Sequence, residues 1–286
     1  MPWVRKIHFL TWGHLPEWLN TDNPKVEVHN HKDFFDDNTV FPVFSSHPIE
    51  MNIRNIPGLA EKFIYFNDDT LVVKPVSADR FFQDGRPVDY LVFDIPRGGW
   101  LYDHIRIKDP YAQVCRNSVN ILNDRFPFKE LRKKRPELFF DSSYLPADKL
   151  RNRTLSALGQ YKWIKVNHNP QGFLLSNLNE CFHLFGDAMK NTCKNRFRSY
   201  EDLNQYLFRY YALAKGEFAP HYFDDDHCIV LSSIGRYDKE RWAFKEKNFV
   251  CINDSSFLKE EEYPRLRQMV RDDLEDLMPE KSSFEL

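Results

Sequence analysis

Five short apolar runs constrain this chain most: VRKIHFLTW (4–12), KFIYF (62–66), DYLVFD (89–94), CIVLSS (228–233) and NFVCIND (248–254). Each has the length and the β-branched or aromatic content of a strand. A shorter strand is expected near Val26 to Val28, and another at KWIKV (162–166). Between the runs, apolar residues recur at helical spacing. In YEDLNQYLFRYYALAKG (200–216) these are Leu203, Tyr206, Leu207, Tyr210, Tyr211 and Ala214. Further helices are expected over 45–59, closed by Pro57 and Gly58, and over 111–126, 173–191 and 260–278. Strands interleaved with helices imply an α/β sheet with helices on its faces.

The composition excludes several classes. With 42% hydrophobic and 29% charged residues, the chain has enough apolar matter to fold. Forty basic residues against 42 acidic ones leave a formal charge of −2, which gives no global attraction to nucleic acid. Five cysteines (Cys115, Cys181, Cys193, Cys228 and Cys251) form no C-x-x-C pair, so reduced thiols are expected in place of a zinc or disulfide framework. No run of about 18 apolar residues exists, so no membrane span is expected. The N-terminus lacks the pattern of a signal peptide, and a cytoplasmic location is expected. Dinucleotide, P-loop, serine-hydrolase and zincin motifs are missing.

Four short stretches could carry chemistry. KFIYFNDD ends a strand with Asn67, Asp68 and Asp69, and ligands of α/β sheets sit beyond such strand ends. Adjacent carboxylates repel unless a cation, a shared proton or solvent relieves them; an ordinary turn accounts for the same residues. In VNHNPQG, His168 suits a general base, or a simple hydrogen-bonded surface residue. In NRFRSYED, Ser199 and Asp202 approximate a capping box for the following helix, with Arg196 and Arg198 just before it. A phosphate at that helix end would suit both arginines; pairing with Glu201 or Asp202 is the alternative. CIND repeats the strand-end pattern with Asn253 and Asp254, so that two strand ends could hold one metal.

At these residues the sequence resembles the Stealth family of hexose-1-phosphate transferases, which act in capsule and exopolysaccharide synthesis. An animal relative tags lysosomal enzymes with N-acetylglucosamine-1-phosphate. PWVRKIHFLTWGHLPEWLNTDNP and SSHPIEMNIRNIPGLAEKFIYFNDD resemble the second family block. VNHNPQGFLLS through CKNRFRSYEDLNQYLFRYYALAKGEFAP resembles the third, and NFVCINDS with MPEKSSFEL the fourth.

The resemblance implies transfer of a sugar 1-phosphate from a UDP-sugar to a saccharide acceptor hydroxyl, with release of UMP and help from magnesium. It assigns Asp68, Asp69, His168 and Arg198 to catalysis, with Asp68 and Asp69 either binding the metal or orienting the acceptor hydroxyl. His47, Glu50 and Asn120 match further family positions, near donor or acceptor; from the residue pattern itself, Arg196 and Asn67 are expected at the donor phosphate, and Asp69, Asn253 and Asp254 at a metal. The expected fold is α/β, a Rossmann-like mixed and mainly parallel sheet with flanking helices. The chain is read as a single catalytic domain, 1–286, in which the basic, proline-punctuated stretch 126–160 forms an irregular helical insertion or lid.

Three departures bear on this reading. The first family block does not precede Met1, which implies a fragment or impaired donor binding. Trp12 stands where a small polar or acidic residue is expected, and Leu175 where the family often carries lysine. Two competitors follow. One is a metal-dependent nucleotide-sugar glycosyltransferase; the other is a truncated, non-catalytic carbohydrate-binding module. The sugar, the acceptor, the linkage and the oligomeric state are not encoded in any motif.

Overall fold

A computed structural model describes residues 1–95 and 110–286. Its strands are β1 (Ile7–Thr11), β2 (Val26–Asn30), β3 (Lys62–Tyr65), β4 (Thr70–Val72), β5 (Phe82–Gln83), β6 (Arg86–Asp89), β7 (Gln171–Leu174), β8 (Ala219–Pro220), β9 (Asp226–Leu231) and β10 (Phe249–Asp254). They pair into four small sheets. β1 and β2 are parallel, and β3 and β7 antiparallel. β10 lies between antiparallel β4 and parallel β9. β6 lies between antiparallel β5 and parallel β8. The architecture is therefore mixed α/β, but among the described residues no single, mainly parallel, Rossmann-like sheet is formed.

One expected strand shows why the sheet is broken up. DYLVFD contributes only Asp89 to a strand; Leu91, Val92 and Phe93 are buried without becoming one. One edge of the segment bonds to the backbone of KWIKV, Lys165 N donating to Val92 O and Asp94 N to Trp163 O, while side chains satisfy the other edge in place of a second neighbouring strand. Asn152 Oδ1 accepts from Phe93 N at 2.7 Å, and Asn152 Nδ2 donates to Leu91 O at 2.8 Å. Tyr144 Oη accepts from Leu91 N at 2.9 Å. Buried backbone groups must be paired, but not necessarily by a sheet. KWIKV likewise forms only an isolated bridge, between Ile164 and Phe93.

The stretch 126–160, expected to stand apart as an insertion or lid, contributes to the main core. Phe128, Leu138 and Phe139 are at most 1% exposed and belong to the same apolar cluster as the helix Tyr206–Lys215. That helix is buried at every position from Tyr206 to Ala214, as expected of a helix that is apolar all round. Its one charge inside the core, Arg209, forms a two-pronged ion pair with Asp89 of β6 at 2.7–2.8 Å, and Nη1 donates to Lys165 O. Such a pair is stable only because every donor finds an acceptor.

The remaining helices frame the strand ends. Ser46–Asn52 is capped by Ser45 and packs on the long helix Leu175–Cys193. Pro110–Asn123 packs on Tyr206–Lys215, and Tyr263–Leu277 covers the smaller cluster around β9 and β10. The C-terminal tail crosses to the loop after β1. There Leu286 N donates to Trp18 O, and Asn20 N to Phe284 O.

Candidate active site

Strand registers build the site. β3 pairs with β7 so that Tyr65 faces Gln171. Continuing that antiparallel register past the strand ends carries residues 67 and 68 toward 169 and 168. β4 pairs with β10 so that Thr70 faces Cys251, and Ile252 N donates to Asp69 O at 2.8 Å. Asn67, Asp68 and Asp69 thus form a corner between two sheets. The NDD stretch forms a turn, and that turn brings the Asp69 carboxylate against His168.

His168 Nε2 lies 3.2 and 3.1 Å from the two carboxylate oxygens of Asp69, and 3.2 Å from Asn67 Nδ2. Nε2 can donate to Asp69 or accept from Asn67, not both. A bare lone pair at 3.1 Å from a carboxylate would be repelled, so Nε2 carries the proton, and in the neutral ring Nδ1 is the nitrogen with the lone pair. Both side chains are partly open to solvent, His168 at 32% and Asp69 at 27%. The loop holding His168 is fixed on both sides. Asn167 Nδ2 donates to Asp226 Oδ1, Tyr206 Oη donates to Asn167 O, and Pro170 is buried.

Two cysteines that sequence reasoning set aside as bland thiols complete this corner. Cys251 Sγ lies 3.3 Å from Asp69 Oδ2, and Cys228 Sγ lies 3.6 Å from Cys251 Sγ across the β9–β10 pair. Cys228 is pulled down to about 7, chiefly by its hydrogen bond with Cys251, against the opposing effect of burial and with help from His168. The hydrogen bond with Cys228 and burial push Cys251 up. The signal was present in CIND: side chains alternate along a strand, and Cys251 is the residue facing Thr70.

A second polar group is centred on a buried carboxylate. Asp202, fully buried, accepts from His47 Nδ1 at 2.8 Å, Asn195 Nδ2 at 2.7 Å and Ser199 N at 2.9 Å. Burial pushes its carboxyl up, but these hydrogen bonds and the attraction of His47 outweigh it, and the group sits below its ordinary value. Glu50, one helical turn beyond His47, accepts from Gln205 N and Tyr65 Oη. His47 and Glu50, expected near donor or acceptor, are buried and tie the 195–205 loop to the end of β3. Asn120 is exposed, whereas Asn117, one turn earlier on its helix, donates to Tyr200 O and Asp202 O.

The structure corrects the expected phosphate end of a helix. The Tyr-rich helix begins at Tyr206, not near Ser199, so neither arginine stands at a helix N-terminus. Arg196 donates from Nε to Val40 O and from Nη2 to Phe41 O, and Phe44 N donates back to Arg196 O. It is a bracket between two loops. Arg198 is exposed, with no ion pair or hydrogen bond among the described residues.

Metal-binding expectations divide in the same way. Asp69 faces a nitrogen and a sulfur, a donor set unlike the oxygen shell of magnesium. Asn253 and Asp254 are exposed and make no hydrogen bond to Asp69 or His168 among the described residues; Asp254 lines a separate hollow with Leu258 and Tyr263. Magnesium asks a protein for one or two carboxylates, with waters and substrate phosphates completing its shell. Asp68, exposed and without a hydrogen bond or ion pair among the described residues, fits that demand.

Residues 1–88 match conserved region 2 of the Stealth proteins. Over 99% of its length the chain is 30% identical to the capsular polysaccharide phosphotransferase WcwK of Streptococcus pneumoniae, covering 81% of that protein. The chain belongs to the Stealth family. Other Stealth relatives are the exopolysaccharide phosphotransferase cps2G of Lactiplantibacillus plantarum, 30% identical over 99% of this chain and 81% of its own, and the receptor polysaccharide phosphotransferase WefC of Streptococcus gordonii, 31% identical over 100% and 82%. The two departures within the chain have structural places. Trp12, beyond the end of β1, packs on Phe41 at 4.7 Å between ring centres. Leu175 opens the long helix, its N–H donating to Glu61 O.

Proposed function

We propose that this Stealth protein is a sugar phosphotransferase of polysaccharide synthesis. It moves hexose 1-phosphate from a UDP-sugar to a saccharide acceptor hydroxyl. The observation that carries the reading is the contact of His168 with Asp69 at the corner of two sheets, within a chain whose relatives are named capsular and exopolysaccharide phosphotransferases. His168 removes the acceptor proton through its free nitrogen while Asp69 holds the ring. The acceptor oxygen forms a bond to the sugar-bearing phosphorus, the pyrophosphate P–O bond breaks, and UMP leaves with the electron pair. Arg198, uncommitted to any described partner, offsets charge on the phosphoryl oxygens. Magnesium held by Asp68 would neutralise the donor diphosphate. No helix among the described residues is long and apolar enough to cross a membrane.

The test is incubation with a panel of UDP-sugars and saccharide acceptors, with product masses read out. UMP with a phosphodiester is the expected result. UDP with a glycoside would establish a glycosyltransferase instead, and acceptor binding without turnover a non-catalytic module.

A further inference from the structure

Away from the corner, the parallel pair β1–β2 carries a cluster of unassigned ligating groups. His8 and Glu27 are register partners, and His29 follows Glu27 by two residues. Side chains alternate along a strand, so all three share one face. His8 Nδ1 lies 2.9 Å from His29 Nε2, and Glu27 Oε1 lies 3.7 Å from the same nitrogen. One ligand atom from each residue falls within 4.8 Å of the others. Lys6 Nζ takes the other carboxylate oxygen, Glu27 Oε2, at 3.5 Å, leaving Oε1 toward the imidazoles. His29 is only 4% exposed.

Metal bonds of ~2.0–2.1 Å in a tetrahedron put neighbouring ligand atoms ~3.3 Å apart. The observed separations of 2.9 and 3.7 Å bracket that edge. We propose that His8, Glu27 and His29 form a binding site for a divalent cation of the zinc class, two imidazoles and a carboxylate leaving one position for water. Nitrogen-rich donor sets favour such ions over magnesium or calcium. The sheet also has a use for a cross-strand tie, because among the described residues it consists of two strands, and parallel pairing is the weaker kind per residue. The bound ion joins β1 to β2 directly, below the strand ends that lead to Trp12 and His31.

The experiment is titration of the full chain with zinc against a chromophoric chelator, with thermal unfolding followed in parallel. Wild type is expected to take up one equivalent that raises the melting temperature. His8→Gln should lose that equivalent. Glu27→Gln, a change at a partly exposed position that leaves the apolar packing intact, should weaken it at least tenfold. Zinc taken up by Asp69, His168 and Cys251 would register as a separate equivalent that both variants retain. Wild type binding no zinc at this face, or both variants matching wild type in stoichiometry, affinity and zinc-dependent melting, would overturn the site and leave a histidine pair joined by a hydrogen bond only.

Discussion

His168 Nε2 touches both carboxylate oxygens of Asp69, at 3.2 and 3.1 Å, although 99 positions separate the two residues. The contact follows from two antiparallel registers that meet at one turn, with the loop before β7 tied down through Asn167. A pair held this way can keep the imidazole in one tautomer through a reaction cycle.

His168→Gln should therefore lower transfer about 10²–10⁴-fold, the usual contribution of a general base. Its melting temperature should stay close to wild type, since the side chain is partly open to solvent. Asp69→Asn should lower kcat as well, because the amide cannot balance an imidazolium. Wild-type turnover in His168→Gln would remove this residue from the chemistry.

The two arginines of NRFRS should respond differently. Arg198→Ala removes an exposed group without a described partner, so stability should move by no more than about 0.5 kcal/mol, while transfer falls about 10²–10³-fold. Arg196→Ala breaks the bracket to Val40 and Phe41. Stability should then fall by about 1 kcal/mol, with a smaller loss of kcat. Paired denaturant melts and kinetics separate the two. Equal kinetic losses would mean that Arg196 also contacts phosphate.

Much of this was legible in the sequence, and the missing parts have identifiable causes. The strand KFIYF and the turn at Asn67–Asp69 are local signals, so composition and alternation find them. The partner of Asp69 depends on register between distant strands, and His168 entered only as a lone histidine. DYLVFD misled because Asn152 and Tyr144, more than 50 residues away, supply on one edge the hydrogen bonds that a second strand neighbour would, and KWIKV bonds to the other edge only as an isolated bridge. Asp202 was read as part of a helix cap. It is instead the acceptor for His47, Asn195 and Ser199, and the helix opens later at Tyr206. Phe128, Leu138 and Phe139 were masked by the basic residues around them, although a charged helix can bury one face.

Asp202 should give the protein an acid-sensitive step. Its folded carboxyl titrates below the ordinary value of about 3.9. The native state therefore holds its proton less tightly than the unfolded chain. That stabilisation is fully present above the unfolded value and is lost as pH falls through the lower, folded one. Asp202→Asn should cost about 2–3 kcal/mol at pH 7, as expected when hydrogen bonds to a buried charge are replaced. It should also flatten the acid limb of stability against pH. An unchanged limb in urea melts at stepped pH would assign the acid sensitivity to other carboxyls.

Cys228 should be the thiol that reveals the state of the site. It titrates near 7 because Cys251 stabilises its thiolate, whereas burial pushes Cys193 up to about 11 and raises Cys181 further in the same direction. The thiolate is the nucleophile, so the rate of iodoacetamide labelling at Cys228 should rise through an inflection near pH 7. The added group would sit against Cys251, whose sulfur contacts Asp69, and should displace the carboxylate from His168. Labelling and loss of transfer should therefore proceed at one rate, and Cys228→Ser should abolish both while retaining most activity. Peptide mass mapping during the reaction checks the order. If Cys193 labels first, or if Cys228 labels without loss of transfer, the line of contacts from Cys228 through Cys251 to Asp69 does not reach the chemistry.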